Sequence, residues 1–291
     1  MTKFEGVMPA LITPITDGKL NVAVLERLMN DLIAEGADGF YVGGATGEGI
    51  TISKEMHKEL TSEAVRVAAH RVPVIVHCAR MNYDEMLELA RHAEAAGADC
   101  ISAIPPLFYK YSEDEIYDYY KGLCDSVTIP VMIYNNPNTG VPFGMSLLER
   151  LFAIPNLTSI KWTNYDYFTV LQFKSKLPHA NVINGPDELV MMGAAAGCDG
   201  CIGTTYNFQQ KRIKAIYTAM KEGRVEEARA LQTEADNIIA AMFPFGVVKL
   251  TKLIISRRYG AKLDQVFPSK PYTPAEEEAA LAAMRALGVE A

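Results

Sequence analysis

Eight short apolar runs, over residues 7–12, 39–42, 74–77, 100–104, 131–134, 159–162, 181–183 and 200–202, are separated by longer amphipathic stretches such as 22–34, 54–69, 83–96 and 113–124. Alternation of this kind is the sequence sign of repeated β/α units around a parallel sheet. Eight units predict an α/β chain folded as a closed (β/α)8 TIM barrel. An open doubly wound sheet is the alternative, because a strand count does not by itself prove closure. Several helical stretches end in one repeated phrase: Ala34-Glu-Gly-Ala-Asp38, Ala95-Ala-Gly-Ala-Asp99 and Ala195-Ala-Gly-Cys-Asp199. In each, the glycine suits the position just past a helix end and the aspartate leads into the next strand. After Tyr206 the strand signals stop, and helical patterns follow over 208–220, 225–241, 247–259 and 274–287. No stretch is rich enough in Pro, Gly or Ser to be a linker. The expected organisation is therefore a barrel over 1–220 with a C-terminal all-helical extension, 221–291, packed on it.

A chain of 291 residues with 49% hydrophobic and 22% charged residues has ordinary globular composition and can bury a large core. Its net charge of −7, with no run of Lys or Arg, argues against an electrostatic nucleic-acid partner. The N-terminus, Met1-Thr-Lys-Phe-Glu-Gly6, has no basic and apolar leader pattern, and no apolar span is long enough to cross a membrane, so the expected location is cytoplasmic. The five cysteines lie mostly in apolar segments, as reduced core cysteines do. Cys198-Asp-Gly-Cys201 has redox or zinc spacing but neither a thioredoxin-like setting nor a second ligand pair.

In a barrel the chemistry sits at the C-terminal ends of the strands. Lys161 lies in the sixth run, Leu157-Thr-Ser-Ile-Lys-Trp-Thr163. An amine held among apolar side chains is poorly solvated, which favours a nucleophilic free amine able to form a Schiff base; the plain alternative is a lysine snorkelling from a strand end. After the second run, the glycines of Gly43-Gly-Ala-Thr-Gly-Glu-Gly49 let backbone N–H groups, with the Thr46 hydroxyl, turn toward a small anion such as a carboxylate. Tyr134 ends the fifth run, so adjacent strands bring a phenol beside the Lys161 amine. After the seventh run, Gly185-Pro-Asp-Glu188 opens a helix, where Asp187 and Glu188 either cap it or accept hydrogen bonds from a polyol. After the eighth, Ile202-Gly-Thr-Thr-Tyr-Asn207 supplies hydroxyls and a close-approach glycine, Gly203. The five histidines lack metal-ligand spacing, too few ligands for a metal-dependent aldolase.

Taken in order, Gly43-Gly-Ala-Thr-Gly-Glu48, Tyr134-Asn135, Lys161 and Gly185-x-Asp-Glu188 resemble the pyruvate-dependent class I aldolase superfamily that contains N-acetylneuraminate lyase and dihydrodipicolinate synthase. The resemblance spans nearly the whole chain, from Gly6 to beyond Tyr259. It implies that Lys161 forms the Schiff base with pyruvate, that Tyr134 transfers protons, and that Ala45 and Thr46 hold the pyruvyl carboxylate. Asn184-Gly-Pro-Asp-Glu188, Gly203-Thr-Thr-Tyr-Asn207 and Thr163 look like the lyase branch, implying a sugar site that includes Thr163, Gly185, Asp187, Glu188, Gly203 and Thr204. Pro137-Asn-Thr-Gly140 has none of the arginine that the synthase branch uses to hold a second carboxylate, and it is one residue short.

The resemblance further implies reversible cleavage of N-acetylneuraminate to pyruvate and N-acetylmannosamine, with no metal, nucleotide or pyridoxal phosphate as cofactor. It implies that Tyr109 reaches into a neighbouring subunit's site within a homotetramer; a packed aromatic is the plain alternative for that residue. Ala45 departs from the lyase, which has serine there to relay protons. Three other readings stay open: an aldolase or dehydratase for another 2-keto-3-deoxy sugar acid, dihydrodipicolinate synthase, and a noncatalytic barrel that senses a keto acid.

Overall fold

Valine, isoleucine and other strand-forming residues fill the apolar runs, and in the computed structural model, which describes residues 4–290, each run forms a strand. They are Gly6–Pro9 (β1), Phe40–Val42 (β2), Val74–His77 (β3), Cys100–Ala103 (β4), Val131–Asn135 (β5), Leu157–Trp162 (β6), Asn181–Asn184 (β7) and Gly200–Gly203 (β8). All pair in parallel in the order β1-β8-β7-β6-β5-β4-β3-β2. The last seam is closed by a parallel bridge between Ala10 and Tyr41, with Leu11 N–H donating to the Tyr41 carbonyl at 2.9 Å. The sheet is thus a closed barrel, and the doubly wound alternative falls.

The first strand stops at Pro9, short of the expected residue 12. Residues 10 and 11 turn to close the seam instead, and Asn207 Oδ1 accepts the Ile12 N–H at 3.2 Å. An antiparallel hairpin, Ile15–Thr16 with Lys19–Leu20, follows without having been anticipated.

The expected helices form as Val22–Ala34 (α1), Lys54–Ala68 (α2), Tyr83–Ala96 (α3) and Glu113–Asp125 (α4), each with its N-cap side chain, Asn21, Ser53, Asn82 or Ser112, accepting a first-turn N–H. Shorter helices follow β5, β6 and β7: Met145–Leu151 (α5), Tyr167–Lys176 (α6) and Val190–Ala195 (α7). Tyr206–Lys221 (α8), Val225–Met242 (α9), Val247–Tyr259 (α10) and Pro274–Ala286 (α11) complete the chain.

The repeated phrase turns out to be a strand clip. Asp38, Asp99 and Asp199 each precede a strand, and their carboxylates accept the N–H of Val7, Val74 and Val182 on the preceding strand at 2.7, 2.8 and 2.8 Å. Each aspartate's own N–H returns to the carbonyl of that same valine, at 2.9, 2.9 and 2.7 Å. Two bonds to one residue fix register, and register decides which side chains enter the barrel.

Ile238, Met242, Leu250, Ile254 and Met284 of the extension share one continuous apolar core with Met8, Leu28 and other barrel residues. Residues 1–3 of the expected barrel region and Ala291 of the expected extension lie outside the described residues. Among the described residues no single helix is long and apolar enough to cross a membrane. All five cysteines are buried and free.

Candidate active site

The parallel register sets Tyr134 of β5 directly beside Lys161 of β6. Lys161 is 5% exposed, and its Nζ lies 4.2 Å from the centre of the Tyr134 ring and 4.7 Å from that of Tyr41. Two aromatic faces so placed attract a cation and confine the side chain of an amine. His77, at the end of β3, stands edge-on to Tyr134 with ring centres 5.8 Å apart, and Tyr41 stands edge-on to Tyr134 at 6.0 Å. The Tyr41 hydroxyl bonds Ser102 Oγ across the barrel at 2.9 Å, whereas the Tyr134 hydroxyl accepts from Asn136 Nδ2 at 3.2 Å. Burial, and then the neighbouring Tyr134, push the Tyr41 phenol well above its ordinary pKa. Tyr41 therefore keeps its proton and serves as a wall. Sequence reasoning missed Tyr41; the signal available was a tyrosine one residue from the end of a three-residue strand, which also reads as plain core.

The loop after β2 turns back on itself. Glu48 N–H donates to the Ala45 carbonyl and Gly49 N–H to the Gly44 carbonyl, both at 3.1 Å. Among the described residues the Ala45 and Thr46 N–H groups donate to no protein acceptor and stay open. Gly43 starts the turn at φ 69°, and a Cβ there would lie 2.5 Å from His57 Nε2. Only glycine fits both conditions.

Two buried histidines support this loop. Ile104 N–H donates to His77 Nε2 at 3.3 Å, which assigns the His77 proton to Nδ1, from where it donates to the Gly43 carbonyl at 3.2 Å. His57 Nε2 in turn donates to the His77 carbonyl at 2.8 Å. Burial pulls His57 down to about 4 and His77 to about 3, with the opposite histidine contributing to the latter, so both are neutral near pH 7.

The two carboxylates after β7 have separate fates. They occupy a single 3-10 turn, Asp187–Leu189, ahead of α7, and neither side chain caps it. Asp187 is buried and accepts from Thr205 N–H at 2.7 Å, Thr205 Oγ1 at 2.6 Å and Thr204 N–H at 3.2 Å. Its oxygens are committed to the loop after β8, and burial pushes its carboxyl above the ordinary range against the Thr205 bonds. Asp187 thereby positions Thr204, whose hydroxyl bonds that of Thr46 at 2.6 Å and links the loops after β2 and β8. Glu188 is partly exposed and accepts from the Tyr165 hydroxyl at 2.7 Å.

Gly203 and Gly185 allow close approach: a Cβ would come 2.2 Å from Asp187 Oδ1 at Gly203 and 2.0 Å from Thr163 Oγ1 at Gly185. The Thr163 hydroxyl is buried with no partner among the described residues. Tyr109 stands apart from the ring cluster: it is 68% exposed on the loop after β4, edge-on to Phe108 at 4.9 Å, and not packed into the core. The arrangement offers an amine, an adjacent phenol, two open amides and several hydroxyls at one end of the barrel.

Residues 3–289 match the dihydrodipicolinate synthetase family. The N-acetylneuraminate lyase of Rhizobium meliloti (strain 1021) is 34% identical over 284 residues, 97% of this chain and 94% of that protein. Among solved structures, CdNal from Clostridium difficile in complex with mannosamine superposes with a TM-score of 0.94 at 27% identity, covering 98% of this chain and 100% of that one. The N-acetylneuraminate lyase from Fusobacterium nucleatum gives 0.91 at 28%, covering 98% and 99%. With its eight-stranded barrel and a family match over nearly its full length, the chain belongs to the dihydrodipicolinate synthetase family.

Proposed function

We propose that the protein is a Schiff-base aldolase that reversibly cleaves N-acetylneuraminate to pyruvate and N-acetylmannosamine. The observation that carries this is Lys161, a nearly buried amine held between the Tyr41 and Tyr134 rings at a strand end. Lys161 Nζ attacks the C2 ketone of the open-chain sugar acid, and loss of water gives an iminium. Tyr134 takes the proton of the C4 hydroxyl; the C3–C4 electron pair moves toward the iminium, leaving an enamine and the aldehyde of the amino sugar. Protonation at C3 and hydrolysis then return pyruvate and the free amine.

The open N–H groups of Ala45 and Thr46 hold the carboxylate next to C2. Thr163, Gly185, Glu188, Gly203 and Thr204 border the sugar chain, and Asp187 keeps Thr204 in place. The unpartnered Thr163 hydroxyl supports a polar ligand there. The lyase of Rhizobium meliloti and the mannosamine complex of CdNal favour the amino-sugar substrate over other 2-keto acids.

The working form is a homotetramer in which Tyr109 completes a neighbour's site, supported by the exposure of that side chain. The described residues up to 220 are assigned to the barrel and those from 221 onward to an extension, a division supported by the helices after 221 that share the barrel's core. Five free, buried cysteines fit the reducing cytoplasm.

Borohydride reduction in the presence of pyruvate should attach one pyruvyl group at Lys161 by peptide mass analysis, and Lys161→Ala should abolish both the adduct and turnover. Release of pyruvate from N-acetylneuraminate, but not from 2-keto-3-deoxygluconate, is the expected substrate pattern. An adduct at any other residue sinks the mechanism; pyruvate release only from the deoxy sugar acid reassigns the substrate; binding without turnover makes the barrel a sensor.

A further inference from the structure

Lys252, on α10 of the helical extension, is 0% exposed. A fully buried ammonium is costly unless it is paired and hydrogen-bonded. Its Nζ forms an ion pair with Glu48 and donates to the Asp264 carbonyl at 3.2 Å. Glu48 closes the Gly43-Gly-Ala-Thr-Gly-Glu48 loop in a left-handed conformation, φ 53°, which a residue with a side chain adopts only when its surroundings hold it there. Its carbonyl also accepts the Thr51 and Ile52 N–H groups at 2.9 and 3.1 Å.

Ala45, Glu48 and Gly49 face Val266, Phe267 and Pro268 across a cleft of about 560 Å³. The loop is held by Thr13 Oγ1, which donates to the Gly47 carbonyl at 2.5 Å, by His77 at the Gly43 carbonyl, and by Lys252 at Glu48.

We propose that Lys252 is a positioning residue, reaching from the C-terminal extension through Glu48 to hold the Ala45 and Thr46 amides where a substrate carboxylate binds. This rests on the reading of the loop as the carboxylate site. The extension is then part of the catalytic apparatus: its charge fixes a turn whose free N–H groups meet the ligand. Loss of the pair lets Glu48 relax from the left-handed region, which rotates the neighbouring peptides and misaligns those amides.

The test is a pyruvate titration of borohydride trapping at Lys161, run on wild type, Glu48→Gln, Lys252→Met, the double variant and Leu250→Ala, with thermal unfolding of each. Leu250 is equally buried on the same helix but makes no ion pair, so it controls for loss of stability alone. Glu48→Gln and Lys252→Met should each raise the half-saturating pyruvate concentration about tenfold or more, the scale of a small misplacement of a binding group. Trapping at saturating pyruvate should fall much less, and the double variant should be no worse than the worse single one. Leu250→Ala should lower the unfolding temperature with half-saturation unchanged.

If wild type traps pyruvate and Glu48→Gln leaves half-saturation unchanged, or if Leu250→Ala raises it as much, the inference is overturned while the Schiff-base reading stands. If wild type traps none, both fall. Glu48→Gln, nearly isosteric, decides the question alone if Lys252→Met does not fold.

Discussion

His57 and His77 are spent on geometry, and that choice makes the loop after β2 sensitive to acid. Both are held neutral by burial, with pKa values of about 4 and about 3 against 6.5 for an exposed histidine. At pH 5 the unfolded chain therefore binds more protons than the folded one. Stability is fully present above pH 6.5 and is lost as pH falls toward 4, by about 2 kcal/mol per histidine at pH 5. Urea unfolding at pH 7 and pH 5 should show the fall in wild type and a smaller one in His57→Gln, whose amide can still donate to the His77 carbonyl; an equal fall in both would remove His57 from the account. At this scale the adjacency of Lys161 and Tyr134 was legible, because consecutive parallel strands are neighbours and each residue lies one position before the end of its strand. Tyr41 was not legible, since whether a residue of a three-residue strand faces the barrel interior depends on register. Nor was the division of labour between Asp187 and Glu188: the donors that commit Asp187 come from Thr204 and Thr205, which the sequence does not set at any distance from it.

Among the elements, the strands and long helices followed their hydrophobic periods closely, and α1, α3 and α10 begin and end where the pattern places them. The hairpin and the Asp187–Leu189 turn were hidden because two or three residues carry no period. The repeated Gly-x-Asp phrase was visible as a helix stop, but its second action was not. The glycines at 36, 97 and 197 are left-handed, φ 90°, 95° and 85°, and bring each aspartate to a buried valine on the preceding strand. Asp99 is the cleanest case to test, since Asp38 and Asp199 also pair with Lys214 and Lys174. Asp99→Ala leaves the Val74 N–H, at the start of a buried strand, without its acceptor, which costs about 1–3 kcal/mol. Asp99→Asn retains an acceptor oxygen and should cost clearly less. Urea unfolding distinguishes them, and equal losses would mean that the charge, not the backbone bond, is what the clip supplies.

For the whole molecule, one core joins barrel and extension, so the proposed division at residue 220 marks no break in packing. What the chain leaves unburied is as informative. Met81, Phe108 and Tyr109 are 64%, 85% and 68% exposed, and Phe108 holds φ 77°, a strained conformation for an aromatic residue. Exposed aromatic rings on a strained loop fit the proposed contact in which Tyr109 enters a neighbour's site. That arrangement makes a prediction no single-subunit mechanism shares. Lys161→Ala lacks the nucleophile and Tyr109→Ala the donated phenol, so each alone should have little activity. In a mixed pair, the Tyr109→Ala chain keeps Lys161 and receives an intact Tyr109 from its partner, restoring one site of two. Random reassociation of equal amounts makes half the pairs mixed, so activity should recover to about one quarter of wild type. Recovery after unfolding and refolding the two variants together, with none when they are refolded apart, establishes the shared site. If the co-refolded sample stays inactive while sedimentation shows full assembly, Tyr109 acts within its own chain; if Tyr109→Ala alone keeps full activity, Tyr109 takes no part.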